Sequence, residues 1–261
     1  MWHQRAGEIT LFRHHLNPEP DFHWRGGEIT RLEAFSDAVF AFAVTLLVVS
    51  LEVPYTFDEL MDVIRGFPAF AICFSMLLLV WYNHAKFFRR YGMQDPAIQA
   101  LNGLLLFVVL FYVYPLKFLF TMLVGLMTKG ATLPHSRAVH DILQQQDVPK
   151  LMMIYGLGYA AVFGIFACMY ALAYKRRSQL ELNEVESFMT RRSLIDHCAM
   201  MNFGLVSTVL ALALPTNLAG LAGWIYSLIG VYYWIAGSVL GKKLRLIRER
   251  NAKLAADRVS A

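Results

Sequence analysis

The sequence predicts an all-α integral membrane protein with six transmembrane helices. Three observations point there. Of 261 residues, 57% are apolar and 16% charged, against about 45–50% and about 25% in soluble domains. Several stretches of the length a bilayer demands, about 20 residues, carry no charge. The Lys and Arg residues also divide unevenly between alternate loops, with 19 of 24 on one side, the bias that marks a cytoplasmic face. This composition excludes a soluble enzyme. The net charge of +5 sits on too little polar sequence for a nucleic-acid-binding chain.

The first span is placed at 34–53. Its start is marked by Thr30-Arg31-Leu32-Glu33, which has the form of a capping box, and Pro54 lies beyond its end. The second span, 66–85, is uncharged with His84 neutral, and spans three and four fall at 97–116 and 151–174. From His197 to Gly241 there is again no charged residue, too long a run for one helix. Leu214-Pro215-Thr216-Asn217 breaks it into spans at 198–214 and 218–241, because proline cannot continue a helix and asparagine favours a turn. Six spans return both termini to the Lys- and Arg-rich, cytoplasmic side. The chain thus divides into a cytoplasmic N-terminal segment (1–30), a six-helix domain (31–241) and a basic tail (242–261), the last read as an anchor beside anionic lipid.

The N-terminal segment lacks the apolar core of a signal peptide. It contains a short repeat, Arg5-Ala6-Gly7-Glu8-Ile9-Thr10 against Arg25-Gly26-Gly27-Glu28-Ile29-Thr30, to which no function is assigned. Cys73, Cys168 and Cys198 offer neither a disulfide framework nor a metal-ligand spacing. His135 and His140 with Asp141 lack a convincing third ligand, so no metal site is read. No nucleophile elbow, metalloprotease helix or phosphate loop occurs, and no enzyme and no cofactor are expected. The stripes Gly156, Ala160, Gly164 and Gly223, Gly230, Gly237 are read as close helix packing. Phe107, Phe111, Tyr112, Tyr114, Phe118 and Phe120 are read as lipid-facing or interfacial surface.

An ionisable residue inside a span is a functional-site candidate, and Asp37, beside Ser36, is the foremost. At 100° per residue, Phe42, Leu46 and Val49 share one stripe of the first helix with Thr45 on its flank, and Asp37 lies about 140° from Phe42. If the stripe faces a pore, Asp37 faces neighbouring protein. Trp81 and His84 from the second helix and Asn102 from the third can supply its partners, a structural role that stands beside direct proton or ion handling. The same projection puts Arg31 within about 20° of the stripe, capping the inner mouth or pairing with an acidic neighbour.

Arg31-Leu32-Glu33-Ala34-Phe35-Ser36-Asp37 resembles the Arg-x-x-x-Phe-Ser-Asp signature of the endosomal and lysosomal potassium channel family, transmembrane protein 175, and its bacterial relatives. The similarity continues through Ala38 to Val49 and is supported by Trp81, His84, Phe88, Asn102, Pro115 and the basic loop with Arg191 and Arg192. The resemblance implies a six-helix subunit that forms a homotetramer around a pore lined by the first helix. It further implies a constriction of bulky apolar side chains five residues after the signature aspartate, here Phe42 where the family has Ile or Leu. Thr45, three residues on, contributes to selectivity, and Leu46 and Val49 line later turns. Arg31, Phe35, Ser36, Asp37, Trp81, His84 and Asn102 form the signature and structural network.

The function expected is passive conduction of potassium, modestly preferred over sodium and with proton permeation left open, through a hydrophobic constriction. Glu52, Asp58, Glu59 and Asp62 would concentrate cations at the outer mouth. Partners are further copies of the chain, membrane lipid and monovalent cations, and the location expected is a bacterial plasma membrane. The alternative is a proton-coupled secondary transporter using Asp37 and His84.

Overall fold

The computed structural model describes residues 22–49, 54–129, 132 and 143–259, and among these all regular structure is helical. In chain order the elements are α1 (Arg31–Val49), α2 (Phe57–Arg65), α3 (Phe67–Tyr91), α4 (Pro96–Met127), a 3₁₀ turn (Gln145–Asp147), α5 (Val148–Lys175), α6 (Glu184–Ala213), a 3₁₀ helix (Ala219–Ser227) and α7 (Leu228–Val259). Among the described residues, five helical segments are long and apolar enough to cross a membrane: Phe67–Tyr91, Pro96–Met127, Gln145–Lys175, Glu184–Ala213 and Ala219–Ser238. α1, which carries Arg31, Glu33 and Asp37, is not among them.

The expected start of α1 is present. Thr30 Oγ1 accepts from Glu33 N at 3.2 Å, and the Glu33 carboxylate accepts from Thr30 N at 3.3 Å, so two N-terminal donors are satisfied reciprocally. Ser36, Phe40, Ala43 and Leu47 are its buried positions, spaced as one helical face, and they pack on α3 and α4. The aromatic centre of the core follows on α3 and α5, where Phe87, Phe88, Tyr91 and Tyr170 are buried with ring centroids 5.0–5.8 Å apart.

Several helices outrun the spans expected from hydropathy. α4 continues through Pro115 to Met127, past Lys117, whose ammonium reaches Leu47 O near the C-terminal end of α1 at 3.4 Å. A carbonyl end of a helix is a favourable place for that cation. α6 begins at Glu184 rather than near Cys198, under a capping box from Asn183 and Glu186. Its early charges do not break the helix, because Arg192 and Asp196 pair across one turn. α2 occupies a stretch expected to be loop and is capped by Thr56 and Glu59.

The expected break at Pro215 is present, but the sixth span is not one α-helix. It opens as the 3₁₀ helix Ala219–Ser227, and α7 then runs unbroken past residues 241 and 242. Tyr232 on α7 donates to Asp196 at 2.7 Å, and Arg250 pairs with Glu184.

The first glycine stripe packs as expected. A Cβ on Gly204 would lie 2.6 Å from Gly156 O and 2.8 Å from Ala160 N, and one on Gly156 would meet Thr208 Oγ1 and Gly204 O. α5 and α6 therefore touch backbone to backbone. The second stripe differs: Gly230 and Gly237 have open space around them, and a Cβ on Gly223 would make only an ordinary contact with Met152 at 3.8 Å. Tyr112 also departs from the lipid-facing reading, since its hydroxyl donates to Ile154 O at 2.6 Å and its ring fills the space above Gly158.

Two outcomes follow. Gly204→Val should destabilise the protein by about 1–3 kcal/mol or more through overpacking, read as a lower unfolding temperature in detergent, while Gly237→Val should be near neutral. The second concerns Asp95, which caps α4 and pairs with Arg176 at the end of α5. The Arg176 hydrogen bond holds the Asp95 carboxyl below its ordinary range. The pair's stabilisation is therefore complete above the unfolded carboxyl value of about 3.9 and is lost as pH falls through the lower folded value. Arg176→Gln should lower the unfolding temperature at neutral pH and flatten its acid dependence.

Candidate functional site

The signature residues of α1 lie on two faces with different surroundings. On the inner face Ser36 is fully buried, and its hydroxyl donates to Leu32 O at 2.7 Å. With its proton committed, Ser36 Oγ accepts from Asn102 Nδ2 at 2.9 Å. That fixes the Asn102 amide, so its Oδ1 faces His84 Nε2 at 2.7 Å. A carbonyl oxygen only accepts, so His84 carries its proton on Nε2. The ring lies against Phe88 and Phe40, with centroids 4.7 and 5.6 Å away, and its Nδ1 is buried with no hydrogen-bond partner among the described residues. One directed relay therefore joins α3, α4 and α1.

Asp37 stands at the edge of this group. Its Oδ1 accepts from Trp81 Nε1 at 2.7 Å, and the carboxylate remains exposed within the subunit. Asp37 and His84 thus belong to separate hydrogen-bonded sets, and among the described residues no hydrogen bond joins them.

The opposite face of α1 is open. Phe35, Ala38, Ala41, Phe42 and Thr45 are exposed, with Phe42 at 55%. Thr45 donates its proton to Ala41 O at 2.7 Å, which leaves its oxygen lone pairs outward. Leu46 differs from the expected stripe: it is half-buried and packs against the core formed with α3 and α4. The open face therefore centres on Ala38, Phe42 and Thr45, turned away from Leu46, because Leu46 is drawn toward Leu47 and the apolar core. The Val49 side chain and Glu52 lie outside the described residues, as do His135, His140 and Asp141. Arg31 is exposed and makes no ion pair among the described residues.

Of the acidic residues expected near the outer end, Asp58, Glu59 and Asp62 fall on α2. Glu59 is engaged by Tyr55 N and Thr56 N at 2.7 and 3.3 Å, and Asp62 pairs with Arg65 at 2.8 Å. Asp58 is exposed.

One cluster was not anticipated. Arg25 forms a bidentate pair with Glu186, at 2.7 and 3.1 Å, and Glu186 is 1% exposed. The signals were the second copy of the repeat, which contains Arg25, and the Asn183-x-x-Glu186 capping pattern. Nothing in the sequence brings the two together across so many residues.

The profile of the family described as endosomal/lysosomal potassium channel TMEM175 matches residues 31–112, the segment that holds the whole relay. A potassium channel of Marivirga tractuosa is 40% identical over 230 residues, covering 87% of this chain and 93% of that protein. The chain belongs to the TMEM175 family. This is a family of potassium channels, not enzymes. A second relative within it, a potassium channel of Chamaesiphon minutus, is 38% identical over 96 residues, covering 34% of this chain and 47% of that one. Among solved TMEM175 structures, a threonine-to-alanine variant of the potassium channel MtTMEM175, crystallised with a nanobody–MBP fusion protein, superposes with a TM-score of 0.75. It is 39% identical, and the match covers 87% of this chain and 99% of that one.

The relay makes a testable distinction. Asn102→Leu orphans the His84 donor and the Ser36 acceptor and should cost about 1–3 kcal/mol for each group, seen as a lower unfolding temperature and reduced yield of intact protein. Trp81→Phe removes one bond to a carboxylate that water can reach, and should cost about 1 kcal/mol or less.

Proposed function

We propose that the chain is one subunit of a tetrameric potassium channel whose pore is lined by the open face of α1. The observation that carries this reading is the division of α1 itself. One face is bound to α3 and α4 through Ser36, Asn102 and His84, while on the other Phe42 and Thr45 are exposed among the described residues. A helix held so firmly on one side and bare on the other suits a position around a shared axis. The names of the relatives at 40% and 38% identity support potassium as the permeant ion. No cofactor is required.

In this reading α1 is the first of six membrane-crossing helices, residues 31–241 form the channel domain, and both termini lie in the cytoplasm of a bacterium. The Phe42 side chains, one from each subunit, form the narrowest ring. An apolar ring is a barrier to a hydrated cation unless it stays wide enough to remain wet. Their aromatic faces offer a passing cation some of the electrostatic attraction that water no longer provides. Thr45, with its hydroxyl oxygen outward, supplies an acceptor one turn further along and biases passage toward potassium. Asp58, exposed on α2, raises the local cation concentration beyond the outer end of α1. Arg31 lies toward the inner end, and a neighbouring subunit supplies its acidic partner.

Purified protein in liposomes should carry potassium faster than sodium, and equal leakage of both, or none, would defeat the reading. Phe42→Ala should raise cation flux several-fold and weaken discrimination, because it widens the barrier. Thr45→Ala should change mainly discrimination, since it removes an acceptor and leaves the width at Phe42 unchanged. Proton uptake driven by a potassium gradient in fixed ratio would indicate a carrier instead.

A further inference from the structure

Residues 22–30 form a strap that leads directly into α1 and is fastened along the end of α3. Phe22 is buried edge-on to Tyr91, with ring centroids 5.6 Å apart, and the Arg90 guanidinium lies 4.7 Å from its ring. Arg25 N and Gly26 N donate to Arg90 O and Arg89 O at 3.3 and 2.9 Å. The fit depends on glycine on both sides. A Cβ on Gly26 would lie 2.7 Å from Phe88 O, and Gly92, at φ +60°, would bring one to 2.9 Å from Arg25 O. Four residues after Gly26, Thr30 caps α1.

The Arg25 side chain leaves this seam and crosses to the start of α6. Its guanidinium donates to both Glu186 oxygens, to Leu180 O at 2.6 Å and to Glu181 O at 3.1 Å. Glu181 has φ +49°, a left-handed conformation uncommon for a residue with a side chain, in the turn that presents both carbonyls. The Glu186 carboxylate also accepts from His23 N at 2.7 Å and Asn183 N at 2.9 Å. Four of the five Arg25 N–H donors thus join the strap to α6 and to the turn before it, and the fifth goes to His23 O within the strap at 2.8 Å. The end of α3 also meets α6 directly, Tyr91 donating to Thr190 Oγ1 at 2.8 Å and Arg90 to Ser193 Oγ at 3.3 Å, but α1 itself packs chiefly on α3 and α4, and α6 chiefly on α5.

We propose that the Arg25–Glu186 pair is a positioning element for conduction, tethering the first turn of α6 to the strap so that α1 holds Phe42 at one distance from the pore axis. This rests on the channel reading above. Between Arg25 and the cap lie Gly26, half-buried against α3, and then Gly27, Glu28 and Ile29, all exposed, so a displacement of Arg25 is carried a few residues on to the start of α1. With the tether released, α1 samples more positions, the Phe42 ring is on average wider and wetter, and the barrier drops. The pair lines an open cleft of about 500 Å³, which gives a shorter side chain at either position room to sit without a clash.

The test uses the full chain in liposomes as wild type, Arg25→Gln, Glu186→Gln, the double variant and Arg25→Lys. Potassium and sodium flux are measured together with hydrogen–deuterium exchange over residues 22–30. Each single glutamine variant should speed exchange in the strap, raise potassium flux by about threefold or more and lower discrimination against sodium. The double variant should add little to either single one, as expected for two residues in one interaction. Arg25→Lys, which keeps the charge and loses the fork, should fall between, and it carries the comparison if Arg25→Gln assembles poorly. Faster strap exchange with wild-type flux and discrimination would overturn the positioning role. Unchanged exchange, or additive effects in the double variant, would show that the pair is not the tether. Absence of selective flux in the wild type would remove the channel reading and this role with it, whereas the exchange data report on the pair independently.

Discussion

Ser36, Asn102 and His84 are polar side chains buried among apolar helices, and each can be satisfied only by the next. Where water is excluded, an unpaired donor or acceptor costs far more than the bond itself contributes. The three therefore act together: the serine proton commits to Leu32 O, which orients the asparagine, which sets the histidine proton. The relay sets the rotation of α1 against α3 and α4 at the level of Ser36. Rotation of α1 by one residue would strand the Asn102 amide donor and bury the Ser36 hydroxyl away from it. The placement of Phe42 and Thr45 on the opposite face follows from that single constraint.

The rest of the bundle is held by a different kind of contact. α5 and α6 approach so closely at Gly156 and Gly204 that neither position has room for a Cβ, and the interface is backbone against backbone. Such packing resists sliding, because any displacement drives atoms into van der Waals overlap. The subunit thus has a polar joint at α1 and a steric joint between α5 and α6. The aromatic core around Phe87, Tyr91 and Tyr170 lies between the two. A part anchored by directed hydrogen bonds can have discrete alternative positions, whereas a glycine seam has essentially one.

The first turn of α6 connects these regions through charge. Glu186 holds Arg25 ahead of α1, and Glu184 pairs with Arg250 far along α7. Two carboxylates in the first turn of one helix, a favourable place for anions, thereby gather Arg25 and Arg250 from distant parts of the sequence. The basic stretches that read as a simple cytoplasmic charge bias are in part specific ion-pair partners.

Much of this was legible in the sequence because the relevant forces are local. Uncharged runs marked the five helices long and apolar enough to cross a membrane, Thr30 and Glu33 marked the start of α1, and Pro215 marked the break after α6. Helical periodicity placed Ser36 and Phe42 on different faces. The resemblance to TMEM175 drew Trp81, His84 and Asn102 into one group, and the fold then divided them, Trp81 to Asp37 and the other two to Ser36. Hydropathy could not show that α4 passes Lys117 or that α6 begins at Glu184, since it registers the apolar part of a helix and not charges that find partners. It could not show that the sixth span opens as a 3₁₀ helix, because apolar α and 3₁₀ segments look alike in composition. Leu46 is half-buried, with part of its side chain against the core, because its surroundings, not its angle alone, decide its burial. The pairing of Arg25 with Glu186 was beyond any local rule: it exists only because the ends of α3 and α6 meet, and charge complementarity acts only between groups the fold has already brought together.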